Sequence, residues 1–388
     1  MALVISSKDV KKGDTFICYP GAEQYISDAL TRGAARIFRF SRTEAGQYAA
    51  RYYNYPSHAL KVVGVTGTNG KTTVTWLVHH AINQLGGNSQ LQGTLNARLT
   101  TPESPETFAA MSQHLIRGGT HFVMEVSSHA IAQNRIEGIN FSVKCLTNVS
   151  HDHLDYHSSF KEYFAIKHSF LANTPNKFCV TDTSIALDSL VDCANIYGEF
   201  NQQNLKYAKQ ILLLLGFVSS DIDFVLKTAT CPPGRFEVFS RAPLIIVDYA
   251  HTPDALECVL KAASKLILSG KLTVVIGCGG NRDQQKRPKI GRISAKYADH
   301  VIFTQDNPRF EDPQAIISEM YSGVKEPHKK HVRCILDRYV AIETAINGLN
   351  VNDGLVIAGK GHESTQYIGS SKIPFSDRDV VKLMVKKF

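Results

Sequence analysis

KVVGVTGTNGKTTVTWLVHH, running from Lys61 to His80, decides the fold. Lys61–Thr66 is an apolar, β-branched run with the character of a buried strand. Gly67-Thr68-Asn69-Gly70-Lys71-Thr72 is a glycine-rich turn. A helix is expected from Thr73 to Gln84, stopped by Gly86-Gly87. Strand, glycine turn and helix together make a phosphate cradle. The glycines let backbone N–H groups close on phosphate oxygens, and the helix mouth adds partial positive charge. Lys71 is placed to reach the terminal phosphates, and the Thr72 hydroxyl suits a magnesium ion. The spacing departs from the usual nucleotide loop, which would need glycine at Val65; here the pattern is G-x-x-G-x-x-G-K-T from Gly64.

Working outward, 388 residues suffice for two or three domains, and 43% apolar residues is ordinary for a globular chain. Met1–Val10 lacks the apolar core and small-residue cleavage site of a signal peptide. The longest apolar run, Ile211–Leu215, is assigned to a short helix and is far from a membrane span. Eight cysteines without a C-x-x-C pair argue against a disulfide framework or metal knuckle and fit a reducing cytoplasm. The charge of +8 is spread along the chain apart from Lys382, Lys386 and Lys387. With no aromatic RNA-binding signature, it points to anionic small-molecule substrates rather than nucleic acid or membrane. A cytoplasmic monomer is expected.

Residues 1–60 read as a small α/β unit, with strands Thr15–Cys18 and Ala35–Phe40 and helices Ile26–Gly33 and Gln47–Tyr53. Some sixty residues bury a marginal core, so this unit should lean on its neighbour. Beyond the phosphate loop, strand Phe122–Val126 carries Glu125 near its end, where a second magnesium ligand would sit. Gln133 and Arg135 offer an amide and a fixed cation to an anion. Strand Val143–Asn148 runs into Ser150-His151-Asp152-His153-Leu154-Asp155-Tyr156-His157. H-x-H-x3-H with interleaved aspartates fits no common zinc spacing, which favours a magnesium and phosphate role. Phe160–Ala172 reads as a helix, and residue type alone would make its Lys167 a surface lysine.

GVTGTNGKTT, MEVSSHA followed by Gln133 and Arg135, and TNVSHDHLDYH followed by a helical lysine resemble the Mur ligase family. Later segments agree: Phe200-Asn201-Gln202-Gln203-Asn204, Gly234-Arg235-Phe236-Glu237, the DYAH loop at Asp248, GCGGNRD from Gly277, DNPR from Asp306 and GKGHE from Gly359. The resemblance spans nearly the whole chain. It implies an α/β chain of three domains: a small, truncated acceptor-binding domain (1–60), a central P-loop-type ATPase domain with a mostly parallel sheet (61–233), and a C-terminal Rossmann-like, amino-acid-binding domain (234–388). The third also reads as alternating strands and helices from Leu244 to Ala358, with ligand groups expected beyond the strands' carboxyl ends.

The chemistry implied by the resemblance is amide formation between a carboxylate and an amino acid, driven by ATP through an acyl phosphate. Such transfer between anions calls for charge neutralisation more than covalent help. By resemblance, ATP is held by Gly67, Thr68, Asn69, Gly70, Lys71, Thr72, Thr73, Asn204, Arg235 and Asp248. Magnesium falls to Thr72, Glu125, His153 and a carbamylated Lys167, and Lys71, Glu125, His153 and Lys167 form the catalytic set. Thr100, Thr101, Ser127, Gln133 and Arg135 match the acceptor-binding positions. Arg282, Asn307, Arg309, Gly359 and Glu363 match those of members that add meso-diaminopimelate to UDP-MurNAc-L-Ala-D-Glu in cell-wall precursor synthesis. An arginine facing the distal carboxylate would discriminate against lysine, which lacks that group.

The chain also departs from the family. The first domain is short: the loop after Tyr19-Pro20-Gly21 goes almost directly to Tyr25-Ile26, and the stretch from Lys167 to Asn201 is abbreviated. Two other readings therefore stand beside the first: the same chemistry on a smaller carboxylate acceptor, and a catalytically silent nucleotide-binding scaffold. Persistence of Lys71, Glu125, His153 and Lys167 weighs against the scaffold.

Overall fold

The computed structural model describes residues 1–150, 152, 156–172, 174–175, 178–182 and 193–386. The chain forms two compact units, residues 1–149, 161–193 and 204–229 in one and residues 150–160, 194–203 and 230–388 in the other.

The first unit is built on five parallel strands in the order Ser89–Gln92, His121–Glu125, Lys61–Thr66, Val143–Leu146, Cys179–Val180. The first of these in sequence, Lys61–Thr66, lies at the centre, and the chain leaves it first to one side and later to the other. That reversal opens a crevice at its carboxyl end, where the glycine turn sits. Val62, Val63 and Val65 are fully buried, as a strand covered on both faces requires. The helix Lys71–Gln84 begins two residues earlier than the sequence reading, because Gly70 turns left-handed at φ 87° and caps it.

A smaller parallel sheet, Leu3–Val4, Thr15–Cys18 and Arg36–Arg39, occupies the start of the chain. Its own apolar cluster is small: Val10, Phe16, Cys18 and Ala29. Leu3, Ile17, Ala45, Ala49 and Ala50 instead join Val62, Phe108, Met111, Phe122 and Met124 in one core. The helix behind that junction, Arg42–Tyr52, starts five residues before the expected Gln47. Ser41 and Glu44 form a reciprocal capping box, the S-x-x-E signal for that start. The run Ile211–Leu215, read as part of a short helix, ends a 16-residue helix, Glu199–Leu214.

The second unit carries six strands in the order Val332–Cys334, His300–Phe303, Leu272–Ile276, Gly354–Ala358, Leu244–Asp248, Glu237–Arg241. All pair in parallel except the last, which runs antiparallel. Alternate residues feed opposite faces. Ile246, Val274, Ile276 and Val356 pack under the helices Pro253–Leu266, Lys286–Tyr297 and Pro313–Ser322. Ile245, Val247, Val275 and Ile357 pack under Arg338–Asn347 and Asp377–Val385. Each fully buried Leu, Ile or Val contributes about 1.5–3 kcal/mol. Leu256, Val259, Leu260 and Ala263 hold one stripe of their helix at helical spacing. The strand formed last in sequence, Gly354–Ala358, slots between Leu244–Asp248 and Leu272–Ile276, so the loops after Asp248, Ile276 and Ala358 converge at one edge.

Candidate functional site

In the first unit the phosphate loop is fixed by its neighbours. Thr68 N–H donates to the Asn148 carbonyl at 2.8 Å, Asn69 N–H to Asn148 Oδ1 at 3.0 Å, and Thr147 Oγ1 to the Asn69 carbonyl at 2.6 Å. Thr68 Oγ1 lies 2.8 Å from the Tyr163 hydroxyl. Gly67 is obligatory: at φ 146° a Cβ there would lie 1.8 Å from Thr147 Oγ1. A Cβ at Gly70 would lie 2.4 Å from Asn204 Oδ1, so Asn204 sits against the loop. Thr73, on the first turn of the helix, is buried.

Two lysines share one acceptor. Lys71 Nζ donates to the Gly67 carbonyl at 2.8 Å and the Thr68 carbonyl at 2.9 Å, and Lys167 Nζ donates to the same Gly67 carbonyl at 2.7 Å. Lys167 is not a surface lysine. It is 1% exposed, with its ammonium 4.8 Å from the Tyr163 ring centre. Two cations on one carbonyl in a buried setting make a strong anion-attracting field.

Opposite them, Thr72 Oγ1 donates to Glu125 Oε2 at 3.0 Å, and Thr94 donates through its N–H to Glu125 Oε1 at 2.8 Å and through its hydroxyl to Oε2 at 3.1 Å. The two oxygens assigned to magnesium are therefore adjacent. Gly93 leaves the space: a Cβ on it would lie 2.3 Å from Glu125 Oε1. The Thr72 and Glu125 oxygens beside a phosphate loop suit a hard divalent cation. Among the described residues no three His, Cys, Asp or Glu gather as a metal cluster. His153, assigned to the metal, lies outside the described residues, with His151 and Asp155.

The acceptor positions gather around Glu125. Thr100 Oγ1 is 3.2 Å from Thr94 Oγ1. Thr101 Oγ1 donates to the Glu125 carbonyl at 2.9 Å and accepts from Ser127 N–H at 2.9 Å, and Ser127 caps the next helix. Arg135 donates to the Thr101 carbonyl and to Gln133 Oε1. Its Nε lies 3.3 Å from Glu103, which also takes Arg42 at 3.0 Å. Glu103 and Arg42 were not singled out in the sequence; an acidic residue three before Glu106 at a helix start was the available signal.

In the second unit, Asp248 closes its own strand and accepts from Phe236 and Ala250 N–H, each at 2.6 Å. Burial pushes its carboxyl pKa up, against the pull of Arg235. The Arg235 guanidinium lies over the Tyr249 ring at 4.1 Å. Glu237 holds the Gly234 N–H at 2.7 Å and takes Arg378 through two hydrogen bonds, 2.6 and 2.9 Å, so the GRFE turn is tied to the last helix.

The amino-acid positions also meet. Asn307 Nδ2 donates to Glu363 Oε2 at 2.9 Å. Arg309 adopts φ 52° and donates to the Gly280 carbonyl at 2.7 Å. Arg282 and Arg309 both flank Gly279, and burial followed by the Arg282 charge lowers the Arg309 pKa. Gly359 stands at φ 110°, where a Cβ would lie 2.8 Å from Asp306 Oδ2. The hairpin Thr365–Ile368 and Ser371–Pro374 locks this loop: Arg309 N–H donates to the Tyr367 carbonyl at 3.0 Å, and Tyr367 N–H to Asn307 Oδ1 at 3.0 Å. Beneath lies a fully buried pair, Arg338 and Asp377, at 2.8 Å. Neither they nor the hairpin was foreseen, because their partners are remote in sequence.

The Mur ligase middle domain profile matches residues 65–189, and that of the Mur ligase, glutamate ligase domain matches residues 234–361. A protein of Cytophaga hutchinsonii described as UDP-N-acetylmuramoyl-L-alanyl-D-glutamate–2,6-diaminopimelate ligase is 34% identical, with 98% of this chain and 93% of that protein covered. Its counterpart in Geobacillus kaustophilus is 33% identical, with 100% and 95% covered. A solved structure described by the same enzyme name superposes with TM-score 0.62 at 27% identity, covering 100% of this chain and 94% of the other. A folylpolyglutamate synthase of Mycobacterium tuberculosis shares the fold at TM-score 0.65 and 18% identity, with 82% and 92% covered.

Proposed function

This chain belongs to the Mur ligase family, and from that premise we propose that it is an ATP-dependent, ADP-forming ligase. It joins meso-diaminopimelate to the D-Glu carboxylate of UDP-MurNAc-L-Ala-D-Glu, a step of peptidoglycan precursor synthesis. The observation that carries the choice of amino acid is the constellation in the second unit. Two guanidiniums, Arg282 and Arg309, stand with one carboxylate, Glu363, and the Asn307 amide. That set complements an amino acid bearing a carboxylate and an ammonium at its distal end.

In this mechanism the phosphate loop and the Lys71 charge hold the nucleotide's terminal phosphates. Thr100, Thr101, Ser127, Gln133 and Arg135, near Glu125, hold the muramoyl side of the acceptor. The carboxylate oxygen attacks the γ-phosphorus, ADP leaves, and an acyl phosphate forms. The free amine of the amino acid attacks the acyl carbon, a proton is lost, and phosphate departs with the original carboxylate oxygen. Thr72 and Glu125 would hold magnesium, which supplies charge neutralisation at the transferring phosphoryl group; carbamylation would give Lys167 the carboxylate-like end needed to join them. Asn204, Arg235 and Asp248 are assigned to the nucleotide on the same reading. The enzyme works in the cytoplasm as a monomer. No described helix is long and apolar enough to cross a membrane.

A second reading has one specific support. The alignment with the Cytophaga relative runs over 454 positions, against 388 residues here, so relatives carry segments that this chain lacks. The same chemistry on a smaller carboxylate acceptor accommodates that trimming. Phosphate release from ATP, with acceptor and diaminopimelate supplied singly and together, separates the readings. Release only with both supports the first. Nucleotide binding without release on this acceptor rejects it and directs the search to smaller carboxylates.

A further inference from the structure

Lys360 lies in the GKGHE segment, yet neither the motif's expected roles nor the mechanism uses it. Its side chain is 0% exposed, whereas that of Glu363 is 28% exposed. A buried ammonium must have its three N–H groups satisfied. Lys360 Nζ meets Glu363 Oε2 at 2.8 Å, the Thr365 carbonyl at 2.8 Å and Asn307 Oδ1 at 3.2 Å. All three donors are used inside the protein, so none is left for a substrate.

These bonds decide how the neighbours face. Asn307 Oδ1 accepts from both Lys360 Nζ and Tyr367 N–H, which leaves Nδ2 to donate to Glu363. Glu363 Oε2 is then doubly held, by Lys360 and Asn307, and Oε1 remains for an incoming ammonium. Lys360 is also one of the charges acting on Asp306, whose carboxyl is pushed up by burial and pulled down by Lys360 and Arg338. The charged groups around this point are Asp306, Arg309, Glu363, Arg282 and the Arg338–Asp377 pair.

We propose that Lys360 is the positioning and charge-setting residue of the amino-acid subsite. Its buried ammonium fixes Asn307 and Glu363 and makes the pocket favour an amino acid of zero net charge over one of net charge +1. Without it, the pocket becomes more negative by one charge, and a cationic amino acid such as lysine gains on diaminopimelate. The inference rests on the amino-acid-subsite reading given above.

The test is steady-state kinetics of wild type, Lys360→Met and the double variant Lys360→Met with Glu363→Gln, using ATP, acceptor and either diaminopimelate or lysine. The methionine variant should raise KM for diaminopimelate about tenfold and lower the diaminopimelate-to-lysine ratio of kcat/KM by about tenfold or more, the scale of one nearby buried charge. KM for ATP should stay within about twofold. The double variant removes one charge of each sign, so its ratio should move back toward wild type, whereas structural damage would add. An unchanged ratio, or ATP and amino-acid KM rising together, overturns the inference. Should the methionine variant not fold, Lys360→Gln, uncharged but with a donor, is judged by the same ratio. Wild type alone decides the parent reading: no release with diaminopimelate rejects it, and the Lys360 ratio is then read on neutral and cationic analogues of whichever amino acid supports release.

Discussion

The candidate sites of the two units are made differently. The phosphate cradle of the first unit is built from backbone, hydroxyls and two ammonium groups resting on a single carbonyl, with most of its parts within residues 67–72. The proposed amino-acid pocket of the second unit is built from charged side chains in loops that follow several strands. A hairpin and a buried ion pair hold it. Local geometry makes the first, and long-range charge pairing makes the second. They should therefore fail in different ways.

The largest effect is expected at Gly67. Gly67→Ala places a methyl 1.8 Å from Thr147 Oγ1 on a left-handed backbone. ATP-dependent phosphate release should fall by about 10³-fold or more, as loss of phosphate positioning does. The second unit's circular dichroism and melting should be little changed. Activity within tenfold of wild type would show that the cradle does not depend on that turn.

The second unit should break through stability instead. Asp377→Asn leaves Arg338 as a buried charge without its counter-ion, a loss of about 3–5 kcal/mol. Denaturant titration reads it directly, and a loss below 1 kcal/mol, by the same rule, would mean that the pair carries little of the pocket's stability. A smaller and more selective change is expected at the rim. Arg309→Met should raise KM for diaminopimelate by about 30-fold and leave KM for ATP near wild type. Equal rises in both would show that Arg309 supports the fold rather than the amino acid.

The smallest effect bears on both units alike. Burial lowers His79 and His121 in the first unit and His251 and His362 in the second from the usual 6.5 to about 4. Between those values the unfolded chain binds more protons than the folded one, so stability is full above pH 6.5 and falls as pH drops toward about 4. The buried His121 contributes a share of about 1 kcal/mol, the scale of one pKa unit. His121→Asn should flatten the pH dependence of the unfolding midpoint by that amount, and an unchanged slope would rule out His121 as a contributor.

The same contrast explains what could be read from the chain. The strand Lys61–Thr66 and its glycine turn follow from β-branched residues and from backbone freedom, both local properties. Leu244–Asp248, Leu272–Ile276 and Gly354–Ala358 were legible for the same reason, as apolar runs buried on both faces. Lys167 was not. Its burial depends on Gly67, a hundred residues away, and only the family resemblance drew attention to it. Arg338, Asp377 and the hairpin that locks Arg309 were silent because each is defined by a remote partner. Lys360 stood inside a quoted motif, but nothing in the residue string shows that all three of its donors are used internally.

The central claim is that phosphate leaves carrying an oxygen of the acceptor. The measurement that tests it most directly supplies UDP-MurNAc-L-Ala-D-Glu labelled with 18O in the D-Glu carboxylate, with ATP, magnesium and diaminopimelate, and weighs the released phosphate by mass spectrometry. An acyl-phosphate ligase yields one 18O in each phosphate, together with the amide product. Unlabelled phosphate released by the active protein would contradict the account, because ATP would then be cleaved without activating the carboxylate.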